Sequence, residues 1–249
     1  MIELLLLIFG ALIWYVCTLA AGGGALLLVP VISFLVGPHL VAPTVTIAKC
    51  LASPYRALVF WSYIDWRVIR WLTPGSLVGA VLGAYTYTQM APEWIQIVVG
   101  LFLISTIFQY RFGNREKSFP MTLPFFLPLG LVTAFASGLI GAIGPLKNPF
   151  LLNYGVEKES LIATKAFNGQ LMQIAKLGTY ITFSAIPLEL VVYGVAAGLG
   201  GIIGVTLAKK KLHQVSFKRF RKYTILVMFV CGLALVIRAI YDMVSEGAG

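Results

Sequence analysis

The run LAAGGGALLLVP (residues 19–30) sets three consecutive glycines, Gly22, Gly23 and Gly24, inside sequence otherwise oily enough to cross a membrane. Glycine is the poorest helix former after proline, so a continuous helix with no special task avoids such a triplet. Apolar sequence continues on both sides, over 2–21 and 24–36. A single crossing needs about 20 residues. More than that lies here, but less than two comfortable crossings. The reading is a chain that turns within the bilayer, as a hairpin or a re-entrant pair of half-helices.

Composition extends that reading to the whole chain. Of 249 residues, 59% are hydrophobic and 11% charged, against roughly a quarter charged in soluble domains; mean hydropathy is +0.90. Apolar stretches recur over 41–63, 67–89 and 93–110, then 121–141 with 142–154, 159–184, 188–208 and 219–241. The expectation is an all-α integral membrane protein. It has about eight hydrophobic spans, the first and fifth broken at glycine-rich motifs, giving up to ten segments. The first span carries Glu3 where a signal peptide has basic residues, and no cleavage site follows, so it reads as a retained span. Cys17, Cys50 and Cys231 lie far apart in apolar sequence and read as small hydrophobes. The net charge of +10 sits in short loops, where the positive-inside rule collects cations. It is a topology signal, and nothing in it points to nucleic acid.

The two halves echo each other. GGGALLLVP (22–30) matches GAIGPLKNP (141–149), TIAKCLA (46–52) matches IATKAFN (162–168), and VGAVLGA (78–84) matches GGIIGVT (200–206). Lys49 and Lys165 fall in register. Loop charge gives the relative orientation. Arg67 and Arg70 face Glu189 at equivalent turns; Glu93 faces the Lys209–Lys222 basic run; Arg111, Arg115 and Lys117 face Asp242 and Glu246. Lys/Arg-rich loops stay cytoplasmic, so the units are expected to be inverted. Residues 1–111 form the first repeat, 112–120 a cytoplasmic linker and 121–249 the second, with both termini outside the cytoplasm.

Broken helices at membrane depth line cavities and aim free N–H groups and the positive helix end into them. Lys49, Arg56, Lys147, Lys165 and Lys176 all fall within spans, whereas no Asp or Glu falls in the middle of any span. A lysine at the bilayer centre costs at least ~2.5 kcal/mol, so an anion and water are the natural compensation. Arg56, nearer a span end, is expected to snorkel. The candidate substrate-binding residues are therefore Gly22, Gly23, Gly24, Lys49, Gly141, Gly144, Lys147, Asn148, Lys165, Asn168 and Gln173. Thr44, Thr46, Ser53 and Gln170 are accompanying donors. The GxxxG pairs Gly79/Gly83 and Gly200/Gly204 read instead as close helix packing. Trp61, Trp66, Trp71 and Trp94 stand at span ends as interfacial anchors, and His39 as an exposed loop residue.

GGGALLLVP, the stretch YIDWRVIRWLTPGSLVGAVLGAYTYTQMAPEW (63–94) and the second motif GLIGAIGPLKNP (138–149) together resemble the sulfite exporter TauE/SafE family, also grouped with sulfonate permeases. The second motif has Ala142 and Ile143 in place of glycines. The resemblance covers nearly the whole chain. It implies a small carrier for sulfur oxyanions or organosulfonates, set in a bacterial-type inner membrane, multi-pass, with the bilayer and a small anion as partners. The glycine motifs also allow homo-oligomers. No catalytic residues, metal or cofactor are expected: a membrane enzyme acting on lipid phosphates needs acid/base or metal-binding groups, and His39 and His213 lie in loops. Export by alternating access around an electropositive midplane site leads. Proton- or sodium-coupled uptake, and an anion channel or accessory subunit, are the alternatives.

Overall fold

The computed structural model describes residues 2–19, 27–112, 121–143, 146–156, 158–183 and 186–211, and 229–243 apart from 231, 238 and 242. Gly22, Gly23, Gly24 and Gly144 lie outside the described residues. The regular structure among those described is helical: α1 (Ile2–Leu19), α2 (Leu28–Leu35), α3 (Val41–Val59), α4 (Trp66–Gln89), α5 (Pro92–Phe112), α6 (Phe126–Ile140), α7 (Asn148–Tyr154), α8 (Lys158–Phe183) and α9 (Leu188–Lys211). A further apolar helix runs through Gly232–Tyr241. Among the described residues, a long helix, a short one and then two long ones occur twice in this order, and an apolar helix follows each time.

Helix starts absorb the negative charge. Glu3, Glu93, Glu159 and Glu189 occupy first turns. Asp65 caps α4 by accepting from the N–H groups of Arg67 and Val68 at 3.0 and 3.2 Å. Carboxylates at these positions meet the positive end of the helix dipole.

Glycine faces decide which helices meet. On α4, Gly75, Gly79 and Gly83 lie against the carbonyls of Leu127, Leu131 and Phe135 of α6; an added Cβ would stand 2.0, 2.1 and 2.2 Å from those oxygens. Gly200 and Gly204 of α9 meet the carbonyls of Leu7 and Ala11 of α1 at 2.1 and 2.2 Å in the same way. Meanwhile Leu77, Val78, Val81 and Leu82 of α4, and Leu199, Ile203 and Leu207 of α9, point outward. Small residues inside with large apolar ones outside is how helices pack in lipid. Two helical stretches, Leu123–Ile140 and Leu188–Ala208, are long and apolar enough by themselves to cross a membrane, with mean hydropathies of 1.9 and 2.0. Helices α3, α4 and α8 are more polar, and the polar side chains that lower their hydropathy include buried Thr44, Thr46, Ser76, Asn168, Gln173 and Lys176.

The same registers give direction. Contacts advance together along α4 and α6, along α1 and α9, and along α3 and α9, where Gly194 meets Ile47 and Gly198 meets Leu51. These pairs are parallel. So are α4 and α8, joined at Asp65–Thr164 and Ser76–Asn168 and, further along, by the rings of Tyr87 and Tyr180. Helices α3 and α8 run oppositely: Thr46 faces Tyr180, Cys50 faces Lys176, and Phe60 and Ile64 pack on Ile162 and Ala163. One set, α1, α3 and α9, therefore opposes the other, α4, α6 and α8.

Both short helices fold back on their predecessors. The ring of Tyr154, at the end of α7, packs 5.4 Å from that of Phe126, at the start of α6. Leu35 and Val36, at the end of α2, line a cleft with Ile2 at the start of α1. The reversal after α6 begins at Gly141, whose φ of +90° suits glycine. A Cβ there would also press on the Ala42 Cα at 3.0 Å.

Candidate functional site

The site is built where the α6–α7 reversal meets α8 and α4. Lys165, Asn168, Met172 and Lys176 recur at helical spacing and share one side of α8. Gly169 and Gln173 continue that face. Across from it, the chain leaving α6 presents Lys147 and Asn148 at the start of α7, whose first turn also holds Pro149.

Two bonds cross between these elements in opposite senses. The Lys147 ammonium donates to Asn168 Oδ1 at 2.9 Å and touches Met172 Sδ at 3.5 Å. The Lys165 ammonium donates to Asn148 Oδ1. So each element supplies one lysine and one asparagine to the other. Asn168 is 1% exposed and its orientation is fixed from α4: Ser76 Oγ donates to its Oδ1 at 3.3 Å, and its Nδ2 donates to Thr73 Oγ1 at 3.3 Å. Asn168 thus presents an acceptor to Lys147 and spends its own N–H group on Thr73.

Lys176 has a different task. Fully buried, it donates to the carbonyls of Ser137 and Gly141 at 2.9 and 3.1 Å and to Ser137 Oγ at 3.4 Å. Those carbonyls close α6, where the dipole is negative; Lys176 clasps the reversal. Tyr180, one turn on, donates to the Gly138 carbonyl at 2.5 Å. The charged groups that face Lys49 are Arg56, Lys147 and Lys176. All are cations. The described carboxylates stand at helix starts, as set out above, so among the described residues Lys49, Lys147 and Lys176 meet one another's charge without a carboxylate between them.

Gln173 is fully buried, and neither polar atom of its side chain has a hydrogen-bond partner. Leaving such a group unsatisfied costs about 1–3 kcal/mol. One turn before it on the same face, half-buried Gly169 has no atom within 4 Å of where a Cβ would stand. Open space therefore stands beside α8 at Gly169.

Of the expected site residues, the structure brings Lys147, Asn148, Lys165 and Asn168 into direct contact, sets Gly141 under Lys176, and places Lys49 within electrostatic reach of Lys147 and Lys176. Thr44 and Thr46 instead bond their own helix, at the carbonyls of Leu40 and Ala42, the usual way a threonine satisfies itself in a helix. Arg56 does not snorkel: it is buried, with its guanidinium 5.5 Å from the centre of the Trp14 ring. Burial is favourable there because the ring face attracts the cation. Thr73, Ser76, Met172 and Ser137 were not singled out in sequence. Met172 was accessible, since it completes the Lys165–Asn168–Lys176 spacing; Thr73, Ser76 and Ser137 lie on helices that only packing brings near.

Glycine-faced helices with apolar exteriors, enclosing a cluster of cationic and polar side chains, define a multi-helix membrane protein. The chain belongs to the sulfite exporter TauE/SafE family, a family of membrane transporters, which it matches over residues 6–235. The probable membrane transporter protein YtnM of Bacillus subtilis (strain 168) is 27% identical to it over 146 residues, 53% of this chain and 48% of that protein. The match thus spans about half the length of that relative. No solved structure matches the chain.

Proposed function

We propose that this protein is a secondary transporter that exports a small sulfur-containing oxyanion or sulfonate, binding it between the α6–α7 reversal and α8. The observation that carries this reading is the convergence of Lys147 and Lys165 on one buried patch, each held by a neutral amide oxygen. An oxyanion is a stronger acceptor for an ammonium group than an amide. A potential of 100 mV, negative inside, favours outward movement of a monovalent anion by about 2.3 kcal/mol, so export needs no coupling carboxylate. The family match and the transporter relative support the class of function.

In the same reading, residues 1–111 and 121–249 are inverted repeats joined by the cytoplasmic linker 112–120. The opposed directions of α3 and α8, whose sequences echo each other, support inversion. So do the exchanged pairings, α1 with α9 and α6 with α4. Each α-hairpin re-enters on its own side, and three crossings follow, which puts both termini outside the cytoplasm. Cysteine labelling tests this. Ser62→Cys labels from the cytoplasm, whereas Ala91→Cys and Leu188→Cys label only from outside; a common side for Ser62→Cys and Leu188→Cys sinks the inversion.

Flux tests the transport. Proteoliposomes loaded with sulfite release it faster when the purified chain is present and an inside-negative potential is applied. Lys147→Ala and Lys165→Ala suppress that release. Wild-type rates in both variants would remove the site, and release that stays at the protein-free rate would remove the function.

A further inference from the structure

We infer that the start of α4 is a binding site for an anionic phospholipid. Arg67 and Arg70 hold the headgroup phosphate between Trp66 and Trp71, and the acyl chains run along the outward stripe of the same helix.

Burial defines the face. Val68, Ile69 and Leu72 are buried, whereas Trp66, Arg67, Arg70 and Trp71 are exposed. At about 100° per residue, the exposed four fall in the order Trp66, Arg70, Arg67, Trp71 across an arc of about 140°. Two cations thus stand side by side, flanked by rings. Three residues apart on a helix, their Cβ atoms lie about 5–6 Å from each other. Both guanidinium forks therefore reach one phosphate, a group whose geometry they match. Among the described residues neither guanidinium has an ion-pair or hydrogen-bond partner. Asp65, the carboxylate next to them in sequence, turns its Oδ1 to the N–H groups of Arg67 and Val68. The rings are packed in place: Trp66 stands edge-on to Trp61 at 5.6 Å and to Phe167 of α8 at 5.1 Å. The starts of α5 and α9 differ, because Glu93 and Glu189 set carboxylates there.

The next turns of α4 select a lipid over a free phosphate. Leu77, Val78, Val81 and Leu82 are exposed and return to about the same arc. Leu82 lies about 18 Å along the axis from Arg70, close to the roughly 15 Å depth of one leaflet. Phosphate ligands at one end of a face and apolar surface along the rest match the long axis of a phospholipid. Paired cations favour a headgroup of net negative charge, by roughly fivefold each. The face is on the outside of α4, apart from the buried seam of Lys147 and Lys165, so its occupant is independent of the transported solute.

Purified full-length protein in a neutral detergent is titrated with brominated-chain phosphatidylglycerol or phosphatidylcholine, and quenching of tryptophan fluorescence is followed. Phosphatidylglycerol quenches at a concentration roughly 30-fold lower, the product of two such factors. Arg67→Gln combined with Arg70→Gln abolishes that preference and leaves the lipid-free melting temperature unchanged, both side chains being exposed. Should the double variant fail to fold, Arg70→Gln alone loses roughly fivefold. Glycerol 3-phosphate, a headgroup without chains, does not displace the bound lipid. Equal midpoints for the two lipids in wild type, or an undiminished preference in the glutamine variants, overturns the inference. Displacement by glycerol 3-phosphate also overturns it, by making the arginine pair a site for a soluble phosphate.

Discussion

The two reversals use one architecture for different ends. Around the first, α3 and α9 close on apolar atoms: Gly194 lies against Ile47, Gly198 against Leu51, and Gly201 against Ala52 and Trp14, at 2.5–2.9 Å from where each Cβ would stand. Around the second, the corresponding helices α8 and α4 meet through Asn168, Thr73 and Ser76, and Lys165 of α8 reaches Asn148 of α7. Ala52 and Asn168 hold equivalent places in the echoed segments TIAKCLA and IATKAFN, and so do Leu28 and Lys147 in GGGALLLVP and GAIGPLKNP. The α3–α9 seam packs; the α4–α8 seam gathers polar groups. Two similar units at one interface need only one chemically active copy, and the other is free to become filler that keeps helices close.

The largest effect should fall where the units differ most. Lys147→Ala removes an ammonium that meets the transported anion. Losing a charge-assisted hydrogen bond costs about 1.5–3 kcal/mol, or roughly 10–150-fold in flux. Leu28→Met, at the equivalent place in the first unit, leaves flux within about twofold, since Leu↔Met swaps conserve volume. Flux assays that show matched losses in both variants would erase the distinction between an active and a packing unit.

Where the units agree, substitutions should agree. Gly79→Ala and Gly200→Ala each drive a Cβ into a backbone carbonyl 2.1 Å away. Overpacking of this kind costs about 1–3 kcal/mol. Equal drops in thermal stability are expected from the two changes, with α4 parting from α6 in one and α9 from α1 in the other. A drop in only one would mean that the two seams do not share the load.

How far the sequence foretold this differs by residue. The glycine seams were legible because a small-residue repeat inside oily sequence has few other uses. Lysines within the helices were legible because charge in apolar sequence is costly. Arg56 misled because distance along the chain does not reveal that Trp14, on another helix, offers a ring face. Lys176 was read as a lysine within a span but not as a site residue, and the carbonyls that end α6 take it up. No side-chain pattern announces backbone acceptors. Asn168 was chosen as a donor to substrate, whereas Thr73 receives its N–H and turns its oxygen to Lys147; that reversal is set by a helix 95 residues away in sequence.

Lys176→Met tests the clasp on the second reversal. The swap keeps the length of the side chain and removes its charge together with its bonds to the Ser137 and Gly141 carbonyls. Losing bonds from a charged donor costs about 1.5–3 kcal/mol, offset in part because a buried ammonium no longer has to be held. Flux should fall less than in Lys147→Ala, because the clasp positions the reversal without touching the anion.

The smallest effect belongs to the first unit's cation. Arg56→Lys keeps the charge but loses the planar group stacked on Trp14, a contact worth about 0.5–2 kcal/mol. Stability should drop by an amount near the bottom of that range, and sulfite flux should not change. The logic is that Arg56 lies against an aromatic ring of α1, whereas Lys147 and Lys165 bond amide oxygens across the second reversal. If Arg56→Lys slowed flux as much as Lys147→Ala, the electropositive site would have to extend across both units, and the asymmetry between them would be one of packing alone.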